Sequence, residues 1–593
     1  MALEGLRKLE YRGYDSAGLA AIFPDQMRPI ETERTTGFVA DLVTKANERF
    51  AGSHIAIGHT RWATHGRVSD RNAHPHSSND GSISIVHNGI IENASELLIK
   101  AEKNGFSLSS ETDSEVIVHL IDHELKNQPP GGSVLEAFAS SIEHLEGSWA
   151  IAAIVSGFDG ILVASSGAPM VIGKGPEKML ISSDIQPLHG LCSEVAYLSD
   201  GDIVSLEKNE IKTPKGHAPL KFEELGGEYH EQDPGKFNHM MLKEIHDQVI
   251  SVTNAISGRI SADGISASLG GMSLSPSEIV KLDRINLVAC GSAYYASLIG
   301  VELIRNHTSI VVEAFRSSEF PAITVCSENT LTIGISQSGE TKDTLDALEE
   351  ARRLGSHISS FCNVIGSTMA RLTSNGTYLH AGPEFAVAST KAFTNMVSIF
   401  SLLAISISDR DETYRREIVS ELRTLPSKIN KQLNGDNQSI EQALQILLGA
   451  KTAIFIGRGI SSHLAKEGAL KMIEVSYLPC ISYPAGELKH GPIALIEEGT
   501  PVIAIAPSDS FSTHMESSIR ECKSRGATVI IISDDEEKFS ELSDVFIRTQ
   551  NTHFELSPLI NIIPLQLLAY NLGLEKGLNV DRPRNLAKSV TVI

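Results

Sequence analysis

Four short stretches hold residue types that can do chemistry. Ser336-Gln-Ser-Gly-Glu-Thr341 follows the apolar run Leu331 to Ile335 and precedes a helical pattern through Leu345 and Leu348. Hydroxyls and free backbone N–H groups therefore gather at a helix N-terminus, which makes an anion site. The plain alternative is a Ser/Thr helix cap without a ligand. Lys471 and Glu474 stand three apart and share a helix face, where they could form an ordinary ion pair or a proton-transfer couple. His490 precedes Gly-Pro and reads as an acid-base group or as a turn residue. Lys588, five residues from the end, reads as a solvated tail lysine or as an amine of the kind that forms imines.

The elements that must position these groups are repeated. Two segments match at an interval of roughly 170 residues, each an apolar strand, a glycine turn and a helix, then a second strand and helix. Asn286-Leu-Val-Ala-Cys-Gly291 matches Ala453-Ile-Phe-Ile-Gly-Arg-Gly459, and Thr330-Leu-Thr-Ile-Gly-Ile335 matches Thr500-Pro-Val-Ile-Ala-Ile505. Strands that are apolar throughout, alternating with helices, predict two doubly wound α/β domains with ligands at the carboxyl ends of the strands. In the second copy the phosphate-loop position reads Ala506-Pro-Ser-Asp-Ser510, with an acid where an anion would sit, so only the first copy is expected to bind phosphate. The first third alternates strand-like runs such as Ile83 to Val86 and Trp149 to Val155 with polar loops, which predicts an α+β domain. The expected organisation is 1–206 for that domain, 207–275 for a linker and connecting helix, 276–425 and 440–583 for the two α/β domains, and 584–593 for a tail that completes the site.

Composition sets the frame. A chain of 593 residues is too long for one core. Its 41% hydrophobic and 21% charged residues are those of a globular protein. A formal net charge of −22 disfavours nucleic acid or an acidic membrane face as partner, so any phosphate must be held locally. The six cysteines are scattered without a CxxC pair, which argues against a zinc site or a disulfide framework and favours a reducing, cytoplasmic setting. Met1 to Glu10 reads as an amphipathic helix, and no signal peptide is recognised. The longest apolar run, Met396 to Ile407, reads as a buried helix too short to span a membrane. No metal or organic cofactor is implied.

Ser-x-Ser-Gly-Glu-Thr on a doubled α/β unit resembles the sugar isomerase (SIS) domains, modules for phosphosugars. The stretches Val387 to Thr394, Glu467 to Lys471, Glu474 to Tyr477, Gly486 to Pro492 and Arg584 to Thr591 resemble the amidotransferases that turn fructose 6-phosphate into an amino sugar phosphate. That resemblance implies that Lys588 forms a Schiff base with the sugar and that Glu474 moves a proton between C1 and C2. It also implies that His490 assists ring opening and that Lys471 steadies developing negative charge. Ser336, Gln337, Ser338 and Thr341 are implied phosphate contacts, with Ser292, Val387 and Ala587 against the sugar. Ala293 stands where the pattern has a serine, so the resemblance implies no hydroxyl contact from that position. The family also implies a homodimer.

Tyr11 to Gly18, Gly58 to Gly66, His87-Asn-Gly89 and Ser110 to Asp113 resemble the class II glutamine amidotransferases, whose αββα fold is that of the Ntn hydrolases. By that resemblance Arg61 grips the glutamine carboxylate and Asp113 its ammonium, with Thr64 and His65 lining the pocket. Asn88 and the Gly89 N–H form the oxyanion hole, and Trp62 gates an ammonia passage. Taken alone, Asn88-Gly89 reads as a hairpin turn and Trp62 as core. Members of this family use an N-terminal cysteine as nucleophile, whereas this chain enters the pattern after its first strand and has no cysteine before Cys192, which lies in a strand-like segment. The expectation is that the natural start lies upstream; the alternative is an ammonia-dependent enzyme. A phosphosugar-sensing regulator is a third reading, disfavoured because sensing requires none of Lys588, Glu474 and His490.

Overall fold

The computed structural model describes all residues except 11–12, 26–27, 63–65, 104, 130, 177, 209, 216, 226–231, 273–275, 280, 323–325, 436 and 590–593. Contacts divide the chain into two units, Met1–Glu231 with Ser589–Ile593, and Gln232–Lys588.

In the first unit a three-stranded sheet places Ser16–Ile22 between Glu31–Thr36 and Ile55–Arg61. A six-stranded sheet is built around the antiparallel pair Ile83–Ile91 and Gly147–Val155. Alternation along the strands assigns each face a partner. Leu19 and Ala21 pack with Leu6 and Leu42 of the helices Ala2–Leu9 and Val39–Ala46. Ala20, Ile55 and Ile57 pack instead against Val86, Ala152 and Ile154 of the second sheet. The opposite face of that sheet, with Ile85, Ile151 and Ala153, is covered by the helices Glu115–Asn127 and Val134–Ile142. The layers are therefore helix, sheet, sheet, helix, as expected. A four-stranded sheet follows, and the polar stretch after Leu206 contributes strands Glu210–Lys212 and Glu223–Glu224 to the unit's sheets.

The second unit holds two five-stranded parallel sheets with one strand order. The first runs Val311–Arg316, Arg284–Ala289, Thr330–Ser336, His357–Cys362, Gly376–Tyr378. The second runs Cys480–Pro484, Ala453–Gly457, Pro501–Ile505, Thr528–Ser533, Val545–Arg548. The repeat in the sequence is thus a repeat of topology. The helices Gly291–His307, Lys391–Ser406, Ile460–Ser476 and Ser557–Glu575 share one continuous core. Lys391–Ser406 is the buried helix predicted around Met396. Phe554–Glu575 is also apolar and long enough to cross a membrane, which corrects the expectation that no run reaches that length. Its most apolar window is 89% buried, as in the core helix of a folded domain.

Candidate active sites

The strand Thr330–Ser336 ends in a turn whose side chains serve its own backbone. Ser336 Oγ accepts the Gly339 N–H at 3.0 Å, and Ser338 Oγ accepts the Glu340 N–H at 3.2 Å. Thr341 is the N-cap of helix Lys342–Arg353, yet its hydroxyl lies 2.9 Å from Ser336 Oγ and accepts no helix N–H among the described residues. The helix therefore begins with free N–H groups beside clustered hydroxyls, the arrangement an anion needs. Glu340 points away, accepting the Thr368 N–H at 2.9 Å. Ser336 and Ser338 are buried and Gln337 and Thr341 half-buried.

On helix Ile460–Ser476, Lys471 sits between two carboxylates. Its Nζ is 2.5 Å from Glu474 Oε2 and 3.4 Å from Glu467 Oε1. It also donates to Ser292 Oγ at 3.0 Å, and that hydroxyl donates to Glu467 Oε1 at 3.0 Å. Burial alone would lower the Lys471 pKa, but Glu467 and Glu474 hold it above its ordinary value, so it stays charged. Burial pushes Glu467 up to about 7 against the pull of Lys471. Glu474 is the outward member, its side chain 21% exposed. Ala293, next to Ser292, is buried in its helix.

Lys588 is no solvated tail residue. Its side chain is 3% exposed and ion-paired with the wholly buried Glu384. Glu384 Oε1 accepts the N–H groups of Thr390 and Ala392 at 2.9 and 3.0 Å, at the start of helix Lys391–Ser406. Val387, three residues on, donates its N–H to the Asp581 carbonyl at 3.0 Å, and Val387 and Ala587 are half-buried. His490 ends the short helix Ala485–His490 and is exposed; among the described residues no hydrogen bond joins it to Lys471, Glu474 or Lys588.

In the first unit a cavity of about 1040 Å³ is lined by Arg61, Trp62, Asn88, Gly89 and Asp113, among others. Asn88 and Gly89 lie inside strand Ile83–Ile91 and not in a hairpin turn, because Gly89 pairs with Trp149 in the sheet. His59 Nε2 lies 2.8 Å from Asn88 Oδ1. Burial lowers the His59 pKa to about 4, so the ring is neutral, and as donor to the Asn88 carbonyl it leaves the amide NH2 to donate elsewhere. Asp113 Oδ2 accepts the Ile91 N–H at 2.9 Å. Arg61 is buried, and burial lowers its pKa against Asp15 and Asp113. Thr64 and His65 lie outside the described residues. Cys192 lies in a half-buried loop before strand Glu194–Tyr197, where a strand was expected, and burial raises its thiol pKa, the reverse of what a nucleophile needs.

The SIS domain model matches residues 278–406 and 446–576, and a glutamine amidotransferase domain model matches 59–190. The glutamine–fructose-6-phosphate aminotransferase [isomerizing] of Chlorobaculum tepidum is 41% identical over 602 residues, covering 100% of this chain and 97% of its own. That of Clostridium tetani is 40% identical over 608 residues with the same coverage. The chain belongs to this family. A solved C-terminal domain of the glucosamine-fructose-6-phosphate aminotransferase from Francisella tularensis matches 59% of this chain and all of its own, at 30% identity and a TM-score of 0.56.

Two groups escaped the sequence reading of this aminotransferase. Glu467 opens the stretch Glu467 to Lys471, and its spacing of four from Lys471 was the available signal. Glu384 precedes the Val387 motif, and nothing local marks it, because its partner lies 204 residues away.

Proposed function

We propose that this chain makes glucosamine 6-phosphate from fructose 6-phosphate, taking nitrogen at C2 and isomerising ketose to aldose, with glutamine as the nitrogen source. The observation that carries the reading is that a buried lysine, Lys588, and a partly exposed carboxylate, Glu474, occur in one unit with the hydroxyl-rich turn at Ser336–Thr341. In this reading the turn holds the sugar phosphate, with Ser292, Val387 and Ala587 against the sugar. Lys588 forms an imine at the keto carbon, and Glu474 carries the proton between C1 and C2. Lys471, held charged between two acids, stabilises enolate oxygen. In the first unit Arg61 and Asp113 hold the two charged ends of glutamine, with Thr64 and His65 beside them. Asn88 and Gly89 supply donors to the oxyanion, and Trp62 gates the ammonia.

We also propose a homodimer in which His490 serves the sugar of a second copy, supported by its exposure and its separation from Lys471, Glu474 and Lys588 in the hydrogen-bond pattern. Mixing His490→Ala with Lys588→Ala chains tests this: activity recovered in the mixture supports a shared site, and none at all counts against it.

The deciding assay is product formation from fructose 6-phosphate with ammonium or with glutamine. Ammonium-dependent product is expected, and its absence overturns the assignment. Product from glutamine by the 593-residue chain would locate a nucleophile among these residues, where the first cysteine is Cys192.

A further inference from the structure

The proposed mechanism leaves one buried cluster unused. Glu384 is wholly buried, and its Oε2 contacts Lys588 Nζ, the atom that must attack the sugar. Behind it lies Glu244 on helix Met240–Ile256, also wholly buried. Glu244 Oε1 accepts the N–H groups of Phe385, at 2.5 Å, and Ala386, at 3.2 Å, the two residues after Glu384, while its Oε2 is buried and has no hydrogen-bond partner among the described residues. Lys588 and Lys391 act on Glu244 together with Glu384, and Lys471 acts on Glu384. Lys391 is engaged by Asp247 at 3.0 Å, and Asp247 also takes Lys243.

An ammonium has no lone pair, so Lys588 must lose a proton before it can attack a carbonyl. Among the described residues the group hydrogen-bonded to its Nζ is Glu384. We propose that Glu384 takes this proton and returns it during imine formation, and that Glu244 is the positioning residue that holds Glu384's loop and sets its charge. The proposal rests on Lys588 being the imine former.

The steps balance. The proton passes from the Lys588 ammonium to the Glu384 carboxylate, which removes two opposite charges from a buried site at once. The amine lone pair then forms the N–C2 bond while the C=O π pair moves to oxygen, and a proton shifts from nitrogen to that oxygen. When the hydroxyl leaves it takes the proton back from Glu384 as water, leaving a protonated imine beside an ionised carboxylate. Burial and Glu384 together raise Glu244 to about 8 against the pull of Lys588 and Lys391. Burial pushes Glu384 up too, but Lys588 and the N–H groups of Ala392 and Thr390 bring it below the usual range. Near neutral pH Glu244 therefore keeps its proton and Glu384 carries the charge. Ionising Glu244 adds a second negative charge beside the Glu384–Lys588 pair.

The test is borohydride trapping on the full chain with fructose 6-phosphate, read as the mass of the peptide bearing Lys588. Wild type should give a reduced adduct on Lys588; its absence would overturn the imine reading itself and not the role of Glu384 alone. Glu384→Gln should trap at least tenfold less at pH 7 while binding fructose 6-phosphate within threefold of wild type, and equal trapping overturns the proposal. Glu244→Gln keeps the shape of the site and guards against misfolding of the first variant. It should trap normally at pH 7 and lose the wild-type decline above about pH 8, and an unchanged decline overturns the part assigned to Glu244.

Discussion

Lys471 and Glu467, one helical turn apart, are both wholly buried, with Nζ 3.4 Å from Oε1. A charge on Glu467 is compensated only in part, because Lys471 makes its shorter contact with Glu474. The pKa of about 7 for Glu467, against an ordinary 4.5, follows from that geometry. Between those values the folded protein keeps a proton that the unfolded chain has released, so the stability this group contributes is full below about pH 4.5 and is lost as pH rises through 7. Glu467→Gln removes the titration. Its stability relative to wild type should improve by about 3 kcal/mol between pH 4.5 and pH 8. Denaturant midpoints of the second unit at the two pH values check this, and parallel pH slopes for variant and wild type would refute it.

The doubled α/β fold was legible because fully apolar strands and glycine turns recur at a fixed interval, and each strand is local in the sequence. The hydroxyl-rich turn was legible for the same reason: Ser336, Ser338 and Thr341 lie within six residues and solve a local backbone problem. Partnership across the chain was not. Glu384 finds Lys588, and Glu244 finds the N–H groups of Phe385 and Ala386, only after the helices have packed. Asn88-Gly89 misleads a local reading, because the glycine serves a close antiparallel strand pairing and not a turn.

The turn proposed to hold the phosphate should act on binding more than on turnover. Thr341→Val keeps the shape and removes the hydroxyl 2.9 Å from Ser336 Oγ. A hydrogen bond to a charged group contributes about 1.5–3 kcal/mol, so KM for fructose 6-phosphate should rise roughly ten- to a hundredfold. The ammonium-dependent kcat should stay within about threefold of wild type, since binding that is uniform between ground and transition state leaves kcat alone. Steady-state kinetics with ammonium as donor decide it; a fallen kcat at unchanged KM would move Thr341 out of the phosphate site.

Glutamine binding can be measured apart from its hydrolysis. Asp113→Asn keeps an oxygen that can accept the Ile91 N–H, now 2.9 Å from Oδ2, so the loop should hold while the negative charge disappears. Arg61→Ala removes the opposite charge. Each variant should bind glutamine at least about tenfold more weakly by calorimetry, the scale of a lost charge-assisted hydrogen bond. Affinity unchanged in both would place the amino acid elsewhere in the cavity.

Gly89 has a geometric reason to be glycine. Its φ of +128° lies where side chains are strained. An added Cβ would sit 2.0 Å from the Ser148 carbonyl oxygen and 2.7 Å from Trp149 Cα, both backbone atoms of the paired strand. Neither can swing aside as a side chain could, so the strands Ile83–Ile91 and Gly147–Val155 must part within the six-stranded sheet. Gly89→Ala should therefore destabilise the first unit by at least about 3 kcal/mol. Hydrogen exchange should show protection lost first in these two strands. Ammonium-dependent synthesis, whose proposed groups all belong to the second unit, should persist. Full protection in the alanine variant would mean that the strand pair tolerates a side chain, and the glycine would then have to be explained by the approach of a ligand to its N–H.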